Sequence, residues 1–335
     1  MSSVSVHNRT NFLLLPKGLD ALDVSSLTDV PLPPTIEDNV LGEAVQRLDR
    51  SVSPAQLARA LGLGESTLKR WIDQGRVPAE KTPGGHRRIR LSDALRLLRA
   101  GVLPGADPCA LGFTADDEAS PETLAALLCS GAPEGAVRLL EDLFASGVGA
   151  AELADQWIAP AMQRVGHGWE TKRISITGEH LATSILLRAA HGLLRALPAP
   201  PEGAPSALVA GLAHDPYLLA PLCVQLSLGE AGYAATNFGP DTPADALSEA
   251  IRERRPALVA VSFSVAETTG AGERLALADA CRASGSVLTV GGRGLRPDIT
   301  SELGDAVWCR SMAELDRLAR GLTAKRSLHG LARAG

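Results

Sequence analysis

The chain has 335 residues, enough for two or three domains, with hydrophobic residues at 45% and charged residues at 21%, the proportions of a globular protein. No apolar run approaches the roughly 18 residues of a membrane span. The start also lacks the layout of a signal peptide, so no membrane partner is expected and the expected location is cytoplasmic. The formal charge of −5 speaks against nucleic acid until its distribution is read: Ser51–Ala100 holds ten Lys/Arg and four Asp/Glu, a local +6 that leaves −11 elsewhere.

Residues 1–40 are polar and rich in Ser and Pro, ending in Val30-Pro31-Leu32-Pro33-Pro34, and are expected to be a flexible leader. Residues 41–105 form the basic module. Ser53-Pro54 supplies a hydroxyl cap and a proline at the first helical position. A turn at Leu61-Gly62-Leu63-Gly64 follows, then a second helix from Glu65 to Ile72. Leu57, Leu61, Leu68 and Ile72 are spaced to pack the two helices together, which leaves Ser66, Thr67, Lys69 and Arg70 outside, as on a recognition helix. Further on, Thr82-Pro83-Gly84-Gly85-His86-Arg87-Arg88 combines a tight hairpin tip with groups suited to phosphate or the minor groove.

A helix-turn-helix followed by Thr-Pro-Gly-Gly-His-Arg-Arg resembles the winged helix-turn-helix of MerR-type transcription regulators. The resemblance covers about 45 residues and implies double-stranded operator DNA as partner, with Ser66, Thr67, Lys69, Arg70, His86, Arg87 and Arg88 as the contact set. The blander alternative is a basic solvated face on an unrelated helical hairpin.

Beyond a Gly/Pro-rich connector, residues 118–197 show apolar spacings of three and four residues, broken at Gly131–Pro133, Gly147–Gly149 and Gly166–Ser175. That pattern predicts a bundle of four helices. Pro198-Ala199-Pro200-Pro201-Glu202-Gly203 is a linker. Residues 204–323 then alternate short apolar runs, at 207–212, 234–238, 258–263, 287–290 and 306–308, with helical stretches. Such alternation predicts a flavodoxin-like doubly wound parallel sheet. The fold class expected is therefore multidomain, α and α/β. The tail around Lys325-Arg326-Ser327 is expected to fray. Five scattered cysteines with no Cys-x-x-Cys point to reduced, mostly buried thiols rather than zinc or disulfides.

Trp169, nine residues and then Glu179-His180 lie in the bundle; Ser262 and Ser264 end the third strand; Gly291 and Gly292 end the fourth. Bundle and sheet with these residues resemble the cobalamin-binding half of CarH/LitR-type light-sensing repressors. The resemblance implies adenosylcobalamin as cofactor. Trp169 would shield its adenosyl group, Glu179 would bond it, and His180 would become a cobalt ligand after illumination. Ser262, Ser264, Gly291 and Gly292 would enclose the nucleotide tail and let backbone approach the ring. It also implies a homo-oligomer, dimer or tetramer, whose state changes with light, in a repressor without enzyme activity. On the residues alone, Trp169 is equally a core aromatic and Glu179-His180 the first turn of a helix capped by Thr177.

One segment departs from the family. Asp215-Pro216-Tyr217-Leu218-Leu219-Ala220 stands where the family carries Asp/Glu-x-His-x-x-Gly, so Asp215 is kept and Tyr217 replaces the lower cobalt ligand. A neutral phenol is a poor partner for cobalt, and His214 is the nearest substitute metal ligand, with a surface-loop histidine as its alternative. Three outcomes stay open for the pocket: cobalamin without a protein imidazole below, another tetrapyrrole, or a ligand-free module that binds a protein antagonist.

Overall fold

The computed structural model describes residues 50–100, 106–114, 119–130, 132–265 and 269–334, with 325–334 in backbone only. The leader expected at 1–40 and the first part of the connector lie outside the described residues.

The described part of the head runs from β1 (Ser51–Val52) through α1 (Pro54–Ala60), α2 (Glu65–Asp73), β2 (Glu80–Lys81), β3 (Arg87–Arg90) and α3 (Leu91–Arg99). Ser53 caps α1 as expected: its hydroxyl accepts the Gln56 N–H, and Gln56 reaches back to the Ser53 N–H in a capping box. The three short strands form an antiparallel sheet in the order β1-β3-β2. Leu57, Leu61, Leu68 and Ile89 are fully buried between that sheet and the helices. Each such side chain contributes about 2 kcal/mol, so the head's core rests on a handful of leucines and an isoleucine.

The bundle comprises α4 (Pro121–Cys129), α5 (Pro133–Ala145), a continuous rod from α6 (Ala150–Glu152) through a π-helical stretch (Leu153–Ile158) to α7 (Ala159–Glu170), and α8 (Ile176–Ala196). Ser175, not Thr177, caps α8, accepting the Gly178 N–H. Head and bundle share one apolar core, which runs from Val52 through Leu95, Phe144 and Leu193 to Leu226 of the sheet layer.

The sheet layer contains β4 (Ser206–Gly211), α9 (Leu219–Glu230), β5 (Ala234–Asn237), α10 (Ala244–Arg254), β6 (Leu258–Ser262), α11 (Ala271–Ser284), β7 (Val287–Gly291), α12 (Pro297–Glu302), β8 (Val307–Trp308) and α13 (Met312–Ala334). Its strands are parallel in the order β5-β4-β6-β7-β8, the doubly wound flavodoxin-like order. Leu208, Val259 and Val290 face one helical layer, and Ala207, Val209 and Leu258 the other. Burial on both faces explains why these strands read as unbroken apolar runs. The C-terminal tail differs from expectation, since α13 stays helical to Ala334. The thiols also differ in part: Cys223, Cys281 and Cys309 are buried, but Cys109 and Cys129 are exposed.

Candidate functional site: a basic head and a seam between bundle and sheet

On the head, Ser66, Lys69 and Arg70 of α2 face solvent, and Thr67 is half-buried. Lys69 is held by Glu65 one turn earlier at 2.8 Å, an exposed pair worth a few tenths of a kcal/mol. The hairpin tip closes as its glycines imply. Gly85 adopts φ +77°, its N–H donates to the Thr82 carbonyl at 2.8 Å, and the Thr82 N–H donates to the His86 carbonyl at 2.9 Å. His86 and Arg88 are exposed. Arg87 is not; it lies on the same strand face as buried Ile89, and its guanidinium pairs with Asp73 at the end of α2 at 2.5 Å. Arg87 therefore ties the hairpin to the recognition helix, while Arg88 points away from it.

The second group of residues meets where the bundle crosses the carboxyl ends of the strands. Asp215, just beyond β4, is fully buried, and its carboxylate accepts the Ser264 N–H at 2.5 Å and the Tyr217 N–H at 3.2 Å. Burial pushes the Asp215 carboxyl up, and those two N–H groups oppose the shift. The Tyr217 phenol is pushed up chiefly by burial and further by the charges of Glu179 and Asp215, against the pull of Arg293. Residues from the bundle, the β4 loop and the β7 loop thus share one electrostatic neighbourhood. Glu179 is buried, with the Thr183 hydroxyl at 3.3 Å and His180 Nε2 at 3.7 Å. Trp169 is half-buried and His180 exposed.

His214 stands apart from this group. It is exposed, takes φ +66°, and its backbone N–H donates to Asp241 at 2.7 Å. His167 and His191 are also exposed; His191 Nδ1 meets the Leu187 carbonyl within its own helix at 2.7 Å.

Below the seam a cavity of about 300 Å³ runs between α9, α13 and the ends of β6, β7 and β8, lined among others by Ser262, Thr289, Gly291, Gly292, Arg293 and Trp308. The space beside the glycines is taken by the protein itself. A Cβ on Gly292, at φ +111°, would lie 2.3 Å from the Phe263 carbonyl oxygen, and one on Gly291 would lie 2.8 Å from that of Cys309. These glycines let the β6 and β7 loops and the β8 end pack together beside the cavity that they also line.

The B12 binding domain family matches residues 121–191, and the helix-turn-helix domain family matches residues 52–102. A curated relative, the HTH-type transcriptional repressor CarA of Myxococcus xanthus, is 29% identical over 257 residues, covering 72% of this chain and 86% of the relative. By these matches the chain combines a helix-turn-helix domain with a B12-binding domain and is similar to the CarA repressor over most of its length. Among solved structures, the monomethylamine corrinoid protein of Methanosarcina barkeri is 19% identical at a TM-score of 0.49, covering 59% of this chain and 96% of that one. A cobalamin-binding protein of Desulfitobacterium hafniense is 17% identical at a TM-score of 0.34, covering 61% and 98%.

The residues present fit a corrinoid on two sides and not on the third. A buried carboxylate with only long contacts (Glu179) beside a flat indole (Trp169) suits the upper face of such a group. The cavity, with apolar walls and Ser262, Thr289 and Arg293 among its lining, suits a nucleotide-like tail. On the lower side, Tyr217 is a neutral phenol held further from ionisation by burial, so this CarH-like chain offers no imidazole there. Among the described residues no three metal-ligating side chains cluster, and no helix is long and apolar enough to cross a membrane.

Two groups escaped the sequence reading. Asp155, in the π-helical stretch, lines the cavity and accepts the N–H groups of Met312 and Ala313, each at 2.9 Å, so it caps α13 from the bundle. Arg99, at the end of α3, donates to the carbonyls of Phe144 and Val148 and pairs with Glu230 of α9, joining head, bundle and sheet layer. A π-helical insertion often marks a functional segment, but it has no signature that periodicity detects.

Proposed function

We propose that the chain represses transcription by gripping double-stranded operator DNA, and that a corrinoid held between bundle and sheet, adenosylcobalamin in the first place, sets the strength of that grip. The observation that carries this reading is the seam itself: Glu179 of the bundle and Tyr217 and Arg293 of the sheet layer share one neighbourhood, directly above a cavity of about 300 Å³. A group lodged there contacts both layers, and the bundle is in turn fused to the head by a common core.

When bound, the corrinoid would supply a light-sensitive cobalt–carbon bond. The chain's own residues do the rest. Trp169 would form an apolar wall that excludes water, Glu179 would accept a hydrogen bond from the group above, and His180, exposed next to it, is the nearest imidazole for the upper side. Asp215 orders the Ser264 and Tyr217 backbone around the lower side, and Ser262, Gly291 and Gly292 line the tail cavity. His214 faces solvent, so the chain would offer a bound corrinoid no imidazole on its lower side. On the head, Ser66, Thr67, Lys69 and Arg70 read the major groove, His86 and Arg88 meet phosphates, and Arg87 sets the angle of the hairpin. Light dissociates the oligomer, and the loss of linked heads lowers avidity.

The test is a titration of the purified chain with adenosylcobalamin in darkness, followed by visible spectrum, elution volume and DNA affinity, then repeated after illumination. A shifted corrin spectrum, a larger particle in the dark and weaker DNA binding after light are expected. A colourless protein whose size and DNA affinity ignore the corrinoid overturns the reading and leaves control by a protein antagonist.

A further inference from the structure

A groove of about 480 Å³ lies at the seam between head and bundle. It is lined by Arg88 and Arg90 of β3, Glu80 of β2, Asp93 and Arg96 of α3, and Arg195 of α8, together with smaller residues. Strand parity places Arg88 and Arg90 together here, since Ile89 and Arg87 point the other way. Glu80 is engaged by Arg90 at 2.8 Å and Asp93 by Arg96 at 2.7 Å. Four guanidiniums therefore face two carboxylates, and Arg88 and Arg195 have no acidic partner among the described residues.

Arg195 belongs to the ligand-binding bundle rather than the head. Its position beside the hairpin is fixed, because Arg96 donates to the carbonyls of Arg195 at 2.6 Å and Leu197 at 2.9 Å. A basic residue in the last turn of a helix has an ordinary use, complementing the helix dipole. That use does not account for the convergence of three further arginines from the head, on a chain whose charge outside the head is strongly negative.

We propose that this groove binds the phosphodiester backbone of DNA, so that the bundle itself, through Arg195, contributes a phosphate contact beside the head. The inference rests on the reading that the head binds duplex DNA and deepens it. It gives the bundle a direct hold on the nucleic acid, and any rotation of bundle against head breaks up the arginine set. A polyanion with spaced single charges suits planar, unpaired guanidiniums that lie on either side of an open groove.

The test measures affinity of the full chain for a fluorescent duplex of random sequence across a salt series. Arg195→Gln is expected to weaken binding by a similar factor on any sequence and to flatten the slope of log K against log salt by about one, while Arg195→Lys retains it. Arg252→Gln on α10 makes the same charge change elsewhere on an exposed helix and is expected to leave the slope alone. Glu80→Gln removes a carboxylate from the groove and is expected to tighten binding several-fold, which damage to folding does not produce. An unchanged slope in Arg195→Gln, an equal loss in Arg252→Gln, or no gain in Glu80→Gln overturns the groove while leaving the head's role intact. Absence of any salt-sensitive binding by the unaltered chain overturns the head's role itself.

Discussion

Arg99 offers the sharpest test of how the three layers are joined. Its side chain is 13% exposed, as is that of Glu230, and its guanidinium stacks 3.6 Å from the Phe144 ring centroid while donating to the Phe144 carbonyl at 2.5 Å. Burial, with the nearby Arg320 charge, lowers its pKa to about 10, so it remains a cation at neutral pH. Arg99→Met keeps much of the apolar stem and removes the charge. Glu230 then keeps the Ala150 N–H at 2.7 Å and Arg320 at 3.9 Å, but loses its main partner. Breaking a buried pair from one side costs about 3–5 kcal/mol; the residual exposure and Arg320 place this one near the lower figure, about 3 kcal/mol. That is roughly a hundredfold in the folding equilibrium, a large part of the usual margin of about 5–15 kcal/mol. Glu230→Gln still accepts the Ala150 N–H and should cost about 1–2 kcal/mol. The double variant should fall short of the sum by about 1–2 kcal/mol, the coupling of two groups in contact. Urea unfolding followed by circular dichroism measures all four proteins, and the shared core of head and bundle predicts that the two melt in one transition. A loss below about 1 kcal/mol for Arg99→Met, or strict additivity with Glu230→Gln, would refute the account.

Gly292→Ala must place a Cβ 2.3 Å from the Phe263 carbonyl oxygen at φ +111°, so it should destabilise by at least about 2–3 kcal/mol, visible as a drop in melting temperature. Asp155→Ala removes the acceptor for two N–H groups at the start of α13 and should cost about 1 kcal/mol, with faster hydrogen exchange at Met312 and Ala313 as the local signature. Asp215 carries a pH prediction. Its carboxyl is held above the ordinary 3.8 by burial, so the folded state binds more protons than the unfolded one just above that value. Stability from this group is therefore greatest below 3.8, falls as pH rises toward the folded value, and is flat beyond it. Asp215→Asn should abolish that slope and, at neutral pH, cost about 1–3 kcal/mol, because an amide NH₂ cannot accept from the Ser264 N–H. Urea unfolding at a series of pH values checks both statements.

What was legible in the sequence follows from how local each cause is. The capping box of Ser53 and Gln56, the left-handed Gly85 and the buried apolar strands are written within a few neighbouring residues, and each element appears where its pattern stands. The motif groups Arg87 with Arg88 as a DNA contact; strand parity, two residues from buried Ile89, turns it inward while Arg88 and Arg90 face out. The joints between layers were not legible. Arg99 and Glu230 are far apart in sequence, and an isolated arginine at a helix end or glutamate at a helix terminus reads as solvated surface. Asp155 hid for the same reason, inside a π-helical stretch whose period is not that of the flanking turns. The same limit explains the glycines after β7. Their absence of side chains was plain, but what filled the space was backbone from a strand end far off in sequence, which no local pattern names. The readable motifs define a head and a pocket, and the polar pairs that join their layers exist only once the chain has folded.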